Sequence, residues 1–82
     1  MERSYIARQP IPIKIESIDD GDVLARFSEA NIAIGGTNEK DAFQGIFAEI
    51  LDIFDSLTEQ EAILGPDASR QLQILRRYIA KT

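Results

Sequence analysis

Residues Pro10 to Gly36 read PIPIKIESIDDGDVLARFSEANIAIGG, and three alternating runs within them decide the fold. In the first run Ile11, Ile13 and Ile15 fall on one face and Pro10, Pro12, Lys14 and Glu16 on the other, the period of a half-buried strand that extends to Ile18. Each proline removes a ladder donor, so the N-terminal part of this strand is expected at a sheet edge or outside the sheet. Asp19-Asp20-Gly21-Asp22 follows with turn chemistry, Gly21 offering the positive φ that a hairpin connection needs. Val23, Ala25 and Phe27 then alternate with Leu24 and Arg26. After Ser28-Glu29-Ala30-Asn31 a third alternation sets Ile32 and Ile34 on one face. Three such runs with short links predict an antiparallel meander, whose two free edges would be closed by pairing across a two-fold axis.

Beyond the meander the period changes. Thr37 or Asn38 is placed to cap a helix, with Glu39 and Asp41 favourable in its first turn. At 100° per residue, Phe43, Ile46, Phe47, Ile50, Leu51, Ile53, Phe54 and Leu57 share about half the circumference, with Gln44, Ala48, Glu49, Asp52 and Asp55 outside it. A stripe this wide exceeds one sheet face and predicts contact with a second helix or a partner chain. Leu57-Thr58-Glu59-Gln60-Glu61-Ala62 has the form of a capping box and predicts a short helix from about Glu59, stopped by Gly65-Pro66. Asp67 is then placed to cap a last helix with a seam of Ala68, Leu72, Leu75 and Ile79, a shoulder of Ile74 and Tyr78, and Arg70, Arg77 and Lys81 nearly opposite.

The expectation is a single α+β domain over residues 1–82: a flexible N-terminus (1–9), a three-stranded antiparallel meander with a long amphipathic helix (10–57), and a short helix with a C-terminal helix (58–82). Its predicted core holds Phe27, Phe43, Phe47, Ile50, Phe54, Leu72, Leu75 and Ile79. With 82 residues, 44% of them hydrophobic, the chain has the apolar content of a folded domain, yet one so small that burial barely offsets the entropy of ordering it. A homodimer or higher homo-oligomer is the corresponding expectation.

The sequence contains no Cys and no His, which excludes disulfides, thiolate or imidazole zinc ligands, cysteine nucleophiles and histidine bases. No apolar run reaches the roughly 18 residues of a membrane span, and Met1 to Gln9 is too polar for a secretory apolar segment, so a cytoplasmic location is expected. Asp19, Asp20 and Asp22 lack the spacing and closing Glu of a calcium-binding loop and read as a solvated turn. Gly35-Gly36-Thr37-Asn38 precedes a helix start, where free N–H groups favour an anion, but it matches neither the P-loop nor the dinucleotide fingerprint and reads as a strand-to-helix turn. Without a recognisable nucleophile elbow or acid–base pair, the chain is not expected to be an enzyme, and no cofactor or metal is implied.

Charge is divided unevenly: +2 over residues 1–15, −11 over 16–67 and +4 over 68–82, for a net −5. The simplest reading is internal, with the basic C-terminal segment lying against the acidic middle of its own chain or of a dimer mate. The alternative treats Asp19, Asp20, Asp22 and Glu29 as a surface for a basic partner, and Arg70, Arg76, Arg77 and Lys81 as a nucleic-acid or partner surface. Thr58 to Lys81 makes a poor helix-turn-helix, since its first helix is too short to brace a recognition helix.

The order of Ile11 to Glu16, the acidic turn Asp19 to Asp22, Val23 to Phe27, Ile32 to Gly36, and the helix opening Thr37-Asn38-Glu39-Lys40-Asp41-Ala42 resembles the HicB-like antitoxins of bacterial type II toxin–antitoxin systems, over about residues 10–56. The resemblance implies a partial ribonuclease-H-like core and a non-catalytic protein that binds and neutralises a small basic ribonuclease toxin, oligomerises, and regulates its own transcription by binding operator DNA through its C-terminal region. The link between second and third strands here is Ser28-Glu29-Ala30-Asn31, where that family carries a Pro-Gly-Cys-like run. A reading from a different class is a small structural or regulatory homo-oligomer outside any toxin–antitoxin system.

Overall fold

A computed structural model describes residues 4–18 and 20–81. The elements are β1 (Tyr5–Ala7), β2 (Lys14–Ser17), β3 (Val23–Phe27), β4 (Ile32–Gly36), α1 (Glu39–Glu59), α2 (Pro66–Arg76) and β5 (Ile79–Lys81), with single 3-10 turns at Ser28–Ala30 and Glu61–Ile63. Strands β2, β3 and β4 form an antiparallel sheet in that order. Ile15 pairs with Ala25, and Ala25 with Ile34, while Phe27 pairs with Ile32. Period two therefore gathers Ile15, Val23, Ala25, Phe27, Ile32 and Ile34 on one face, where α1 packs. The opposite face carries Lys14, Glu16, Leu24 and Arg26, with Glu16 at 3.7 Å from both Lys14 Nζ and Arg26 Nε. Pro10 and Pro12 act as their missing donors dictate: the ladder begins only at Lys14, while Ile11 and Ile13 still pack half-buried on the core.

Local chemistry sets the junctions. Gly21 has φ +83°, and the Ile18 N–H donates to the Asp22 carbonyl at 3.1 Å to close the hairpin. Asn31 leaves the first 3-10 turn with φ 57°, a left-handed position that asparagine tolerates. Gly36 lets β4 meet the start of α1, because a Cβ there would stand 2.6 Å from the Ala42 nitrogen. Asn38 is the α1 cap, its side chain accepting from the Asp41 N–H at 2.9 Å.

Four expectations are corrected. The segment expected to be a flexible N-terminus contains β1, which pairs antiparallel with β5 (Tyr5 with Lys81, Ala7 with Ile79); residues 1–3 of that segment lie outside the described residues. Thr58 does not start a helix; its hydroxyl donates back to the Phe54 carbonyl at 2.7 Å within α1, and the predicted short helix is one 3-10 turn. Gly65-Pro66 opens α2, with Pro66 at the first helical position, where a missing N–H costs nothing, so Asp67 lies in the first turn and is not the cap. Finally α2 stops at Arg76, and Ile79 and Lys81 belong to β5, because pairing with β1 overrides the helical period that Leu72, Leu75 and Ile79 share.

Phe27, Ile50, Phe54, Leu72, Leu75 and Ile79 are buried, with Phe27 edge-on to Tyr78 at 5.2 Å between ring centroids. Phe47 is half-buried and Phe43, read as core, is 46% exposed; the two rings stack edge to face at 4.9 Å outside the core. Conversely Asp55, placed by the helical wheel on the solvent side, is only 9% exposed. Truncating Phe27 to Ala is expected to cost about 3–5 kcal/mol, enough to unfold a small domain, whereas Phe43→Ala should cost less than about 1 kcal/mol. Urea denaturation of the two variants measures the difference, and equal costs would contradict the burial described.

Candidate functional site

The residues singled out as functional sit on α2, β5 and the links around β3, and the fold brings acids and bases together there. Arg76, in the last turn of α2, is favoured by the helix dipole and makes a bidentate pair with Glu61, at 2.6 Å to Oε1 and 2.8 Å to Oε2. That hydrogen bond holds the Glu61 carboxyl below the ordinary carboxylate range and raises the Arg76 guanidinium. Arg77 Nη1 lies 2.6 Å from Glu29 Oε2, and the Tyr78 hydroxyl donates to Glu29 Oε1. The Tyr78 phenol is raised chiefly by that bond; its ring is buried against Phe27 while its hydroxyl reaches the surface carboxylate. Lys81 Nζ lies 3.0 Å from Asp55 Oδ1, and the Tyr5 hydroxyl donates to Asp55 Oδ2 at 2.5 Å.

Three of the four candidate nucleic-acid bases thus face the chain's own acids. Arg70 is exposed and makes no ion pair among the described residues; it lines a hollow of about 490 Å³ between α2 and the first 3-10 turn, together with Glu29, Asn31, Asp67 and Gln71. Arg70, Arg76, Arg77 and Lys81 form no continuous basic face, since each of the last three points to a different acid on a different element.

The acidic candidates are likewise divided. Asp20 and Asp22 are exposed at the β2–β3 hairpin, while Glu29 follows β3 at its other end and is engaged by Arg77 and Tyr78. Asp19 lies outside the described residues. Among the described residues no group of three Asp or Glu side chains is arranged to hold a metal ion. The side-chain donors of the turn before α1 are occupied: Thr37 Oγ1 and Asn38 Nδ2 both donate to Asp41 Oδ2, at 3.0 and 3.3 Å, so an incoming anion would meet the Asp41 carboxylate.

Two features were not anticipated from the sequence. Asp55, with Tyr5 and Lys81, joins α1 to both strands of the small β1–β5 sheet, and no local signal marks it because its partners are 50 and 26 residues away. Asp41 and Glu49 flank Gly45 on the α1 face that borders β4; their spacing of four on either side of a helical glycine was the available signal.

No described helix is long and apolar enough to cross a membrane. Replacing Asp55, buried itself but paired with a partly exposed Lys81, by Ala should destabilise the fold by about 2 kcal/mol, between the limits for exposed and buried pairs, and should raise amide exchange first in Tyr5–Ala7 and Ile79–Lys81. Glu61 gives a pH dependence of defined sign. Its carboxyl is harder to protonate in the folded chain, so its contribution is complete above the ordinary carboxylate range and is lost as pH falls through its folded value. The melting-temperature gap between the native chain and Glu61→Gln should therefore be small but present at neutral pH and close as pH falls below the ordinary carboxylate range. Comparison with protein-family models, with curated proteins and with solved structures finds no match to the chain.

Proposed function

We propose that the chain is a non-catalytic interaction protein of the HicB-like antitoxin type, acting in the cytoplasm by binding and neutralising a small basic toxin. The observation that carries this reading is the internal pairing of charge. Glu29, Asp55 and Glu61 are matched by Arg77, Lys81 and Arg76, so most of the C-terminal basic charge is spent inside the molecule. The surplus behind the net charge of −5 then rests on the remaining acids, Asp22, Glu39, Asp41 and Glu49 among them. A surface of that sign attracts a basic partner and repels nucleic acid. The order of sheet and helix, β2 to β4 followed by α1, is compatible with a partial ribonuclease-H-like core. Operator DNA has less support, because three of the four bases that would contact phosphate, Arg76, Arg77 and Lys81, are engaged with carboxylates.

A second reading, a structural or regulatory homo-oligomer, is favoured by the Phe43–Phe47 pair. Two aromatic rings left outside the core on one helix face have the composition of an oligomer interface. The two readings are compatible, since an antitoxin can also be a dimer. They separate experimentally. Affinity purification of the tagged chain from its native host is expected to recover a small basic protein at near-equal stoichiometry, released by salt, whose ribonuclease activity is blocked when the purified chain is added back. Recovery of the chain alone, in an oligomer that Phe43→Ser and Phe47→Ser dissociate on sedimentation, would replace the antitoxin reading by the second one.

A further inference from the structure

The described strands present four sheet edges of unequal character. β1 and β5 each offer three residues, and β2 is charged at Lys14 and Glu16 and is entered through Pro10 and Pro12, devices that discourage pairing with another chain. β4 has none of them. Its five residues, Ile32-Ala33-Ile34-Gly35-Gly36, contain no charge and no proline, and they pair with β3 in five consecutive positions without a bulge. β3 occupies one side of the strand and its other side is the sheet edge, with backbone N–H and C=O groups that have no strand to pair with.

The neighbourhood of that edge defines what it accepts. Gly45 of α1 sits against β4, since a Cβ there would stand 3.5 Å from Ile34 Cδ1. One turn to either side of Gly45, on the same helix face, are Asp41 and Glu49, neither of which makes an ion pair among the described residues. A second copy pairing through β4 about a two-fold axis would bring its own Asp41 and Glu49 towards these, at the cost of like-charge repulsion. A strand carrying lysine or arginine on its helix-facing side meets opposite charge instead.

We propose that the free edge of β4 is a docking site for an extended basic strand of a partner protein, which adds as a fourth strand beside Asp41 and Glu49 of α1. Main-chain hydrogen bonds would supply the affinity and the two carboxylates the preference for a basic side chain. This inference rests on the reading of the chain as a binding protein for a basic partner and locates that partner on the surface.

The test titrates the full isotope-labelled chain with a short peptide alternating lysine with valine, and with its counterpart carrying glutamate for lysine, following backbone amide shifts and hydrogen exchange by NMR. The lysine peptide is expected to shift and protect amides of Ile32–Gly36 saturably, about tenfold more tightly than the glutamate peptide, and Glu49→Lys should abolish that preference without changing the melting curve. Responses confined to β2, β1 or β5, equal binding of the two peptides, no saturable response at β4, or protection of β4 by raising the concentration of the chain alone would each overturn the proposal. A basic partner recovered from the host that leaves the β4 amides unchanged would refute the docking site and spare the antitoxin reading. Lysine-selective binding at β4 with no such partner in the host would do the reverse.

Discussion

A helix of 21 residues, about 31 Å long, lies on a sheet whose longest strands, of five residues, span about 17 Å. The sheet can cover only part of α1, and the rest of the structure answers that mismatch. Near the start of α1, Ala42 and Ile46 are buried, with Ala42 pressed close to Gly36 and Gly45 against Ile34. Further along, the sheet gives way to α2, β5 and β1, and the buried positions become Phe54 and Asp55. The covering side rotates around the helix as its neighbours change. Phe43, central to an apolar stripe averaged over the whole helix, lies where the covering is on another side, and Asp55, outside that stripe, lies where β1 and β5 arrive.

Covering the far end of α1 draws the two ends of the described chain together, and charge fixes them there. β1 and β5 share three residue pairs, too few to hold by themselves; the Arg8 N–H bond to the Tyr78 carbonyl at 2.7 Å and the Arg8 and Gln9 side-chain bonds to the Arg76 and Arg77 carbonyls extend the connection. Asp55 ties both strands to α1, while Glu29 and Glu61 hold Arg77 and Arg76 across the end of α2. The contrast between an acidic middle and a basic C-terminal segment is to this extent a folding device, as the simplest reading of the charge pattern expects. Each exposed pair contributes little singly, but all three charge pairs act on the same short stretch from Arg76 to Lys81.

Features governed by neighbours along the chain are legible in the amino-acid sequence. The alternation in Val23 to Phe27, the left-handed Gly21, the prolines that delay β2 and the Asn38 cap all follow from interactions within a few residues. Features governed by distant partners are not. Thr58 has the local form of a cap, and the same hydroxyl is equally satisfied by the Phe54 carbonyl once packing carries α1 onward. Ile79 fits the seam of a helix as well as it fits a strand, and only β1 decides between them. Of the candidate site, the opposition of acids and bases can be read from composition, but which carboxylate meets which base depends on folded proximity, and it is this that pairs Glu29 of one candidate surface with Arg77 of the other and sets Arg76 and Lys81 against Glu61 and Asp55.

The surfaces left over divide along α1 itself. On one side of the helix stand Phe43 and Phe47, apolar and adjacent; on the side bordering β4 stand Asp41 and Glu49 beside an uncharged strand edge. Self-association suits the first, because two identical apolar faces gain by burial while two identical acidic faces repel. Binding of a basic partner suits the second for the same reason. Because the two faces lie on different sides of one rigid element, a dimer formed through the phenylalanines would leave both β4 edges open, and each copy could then take its own partner strand.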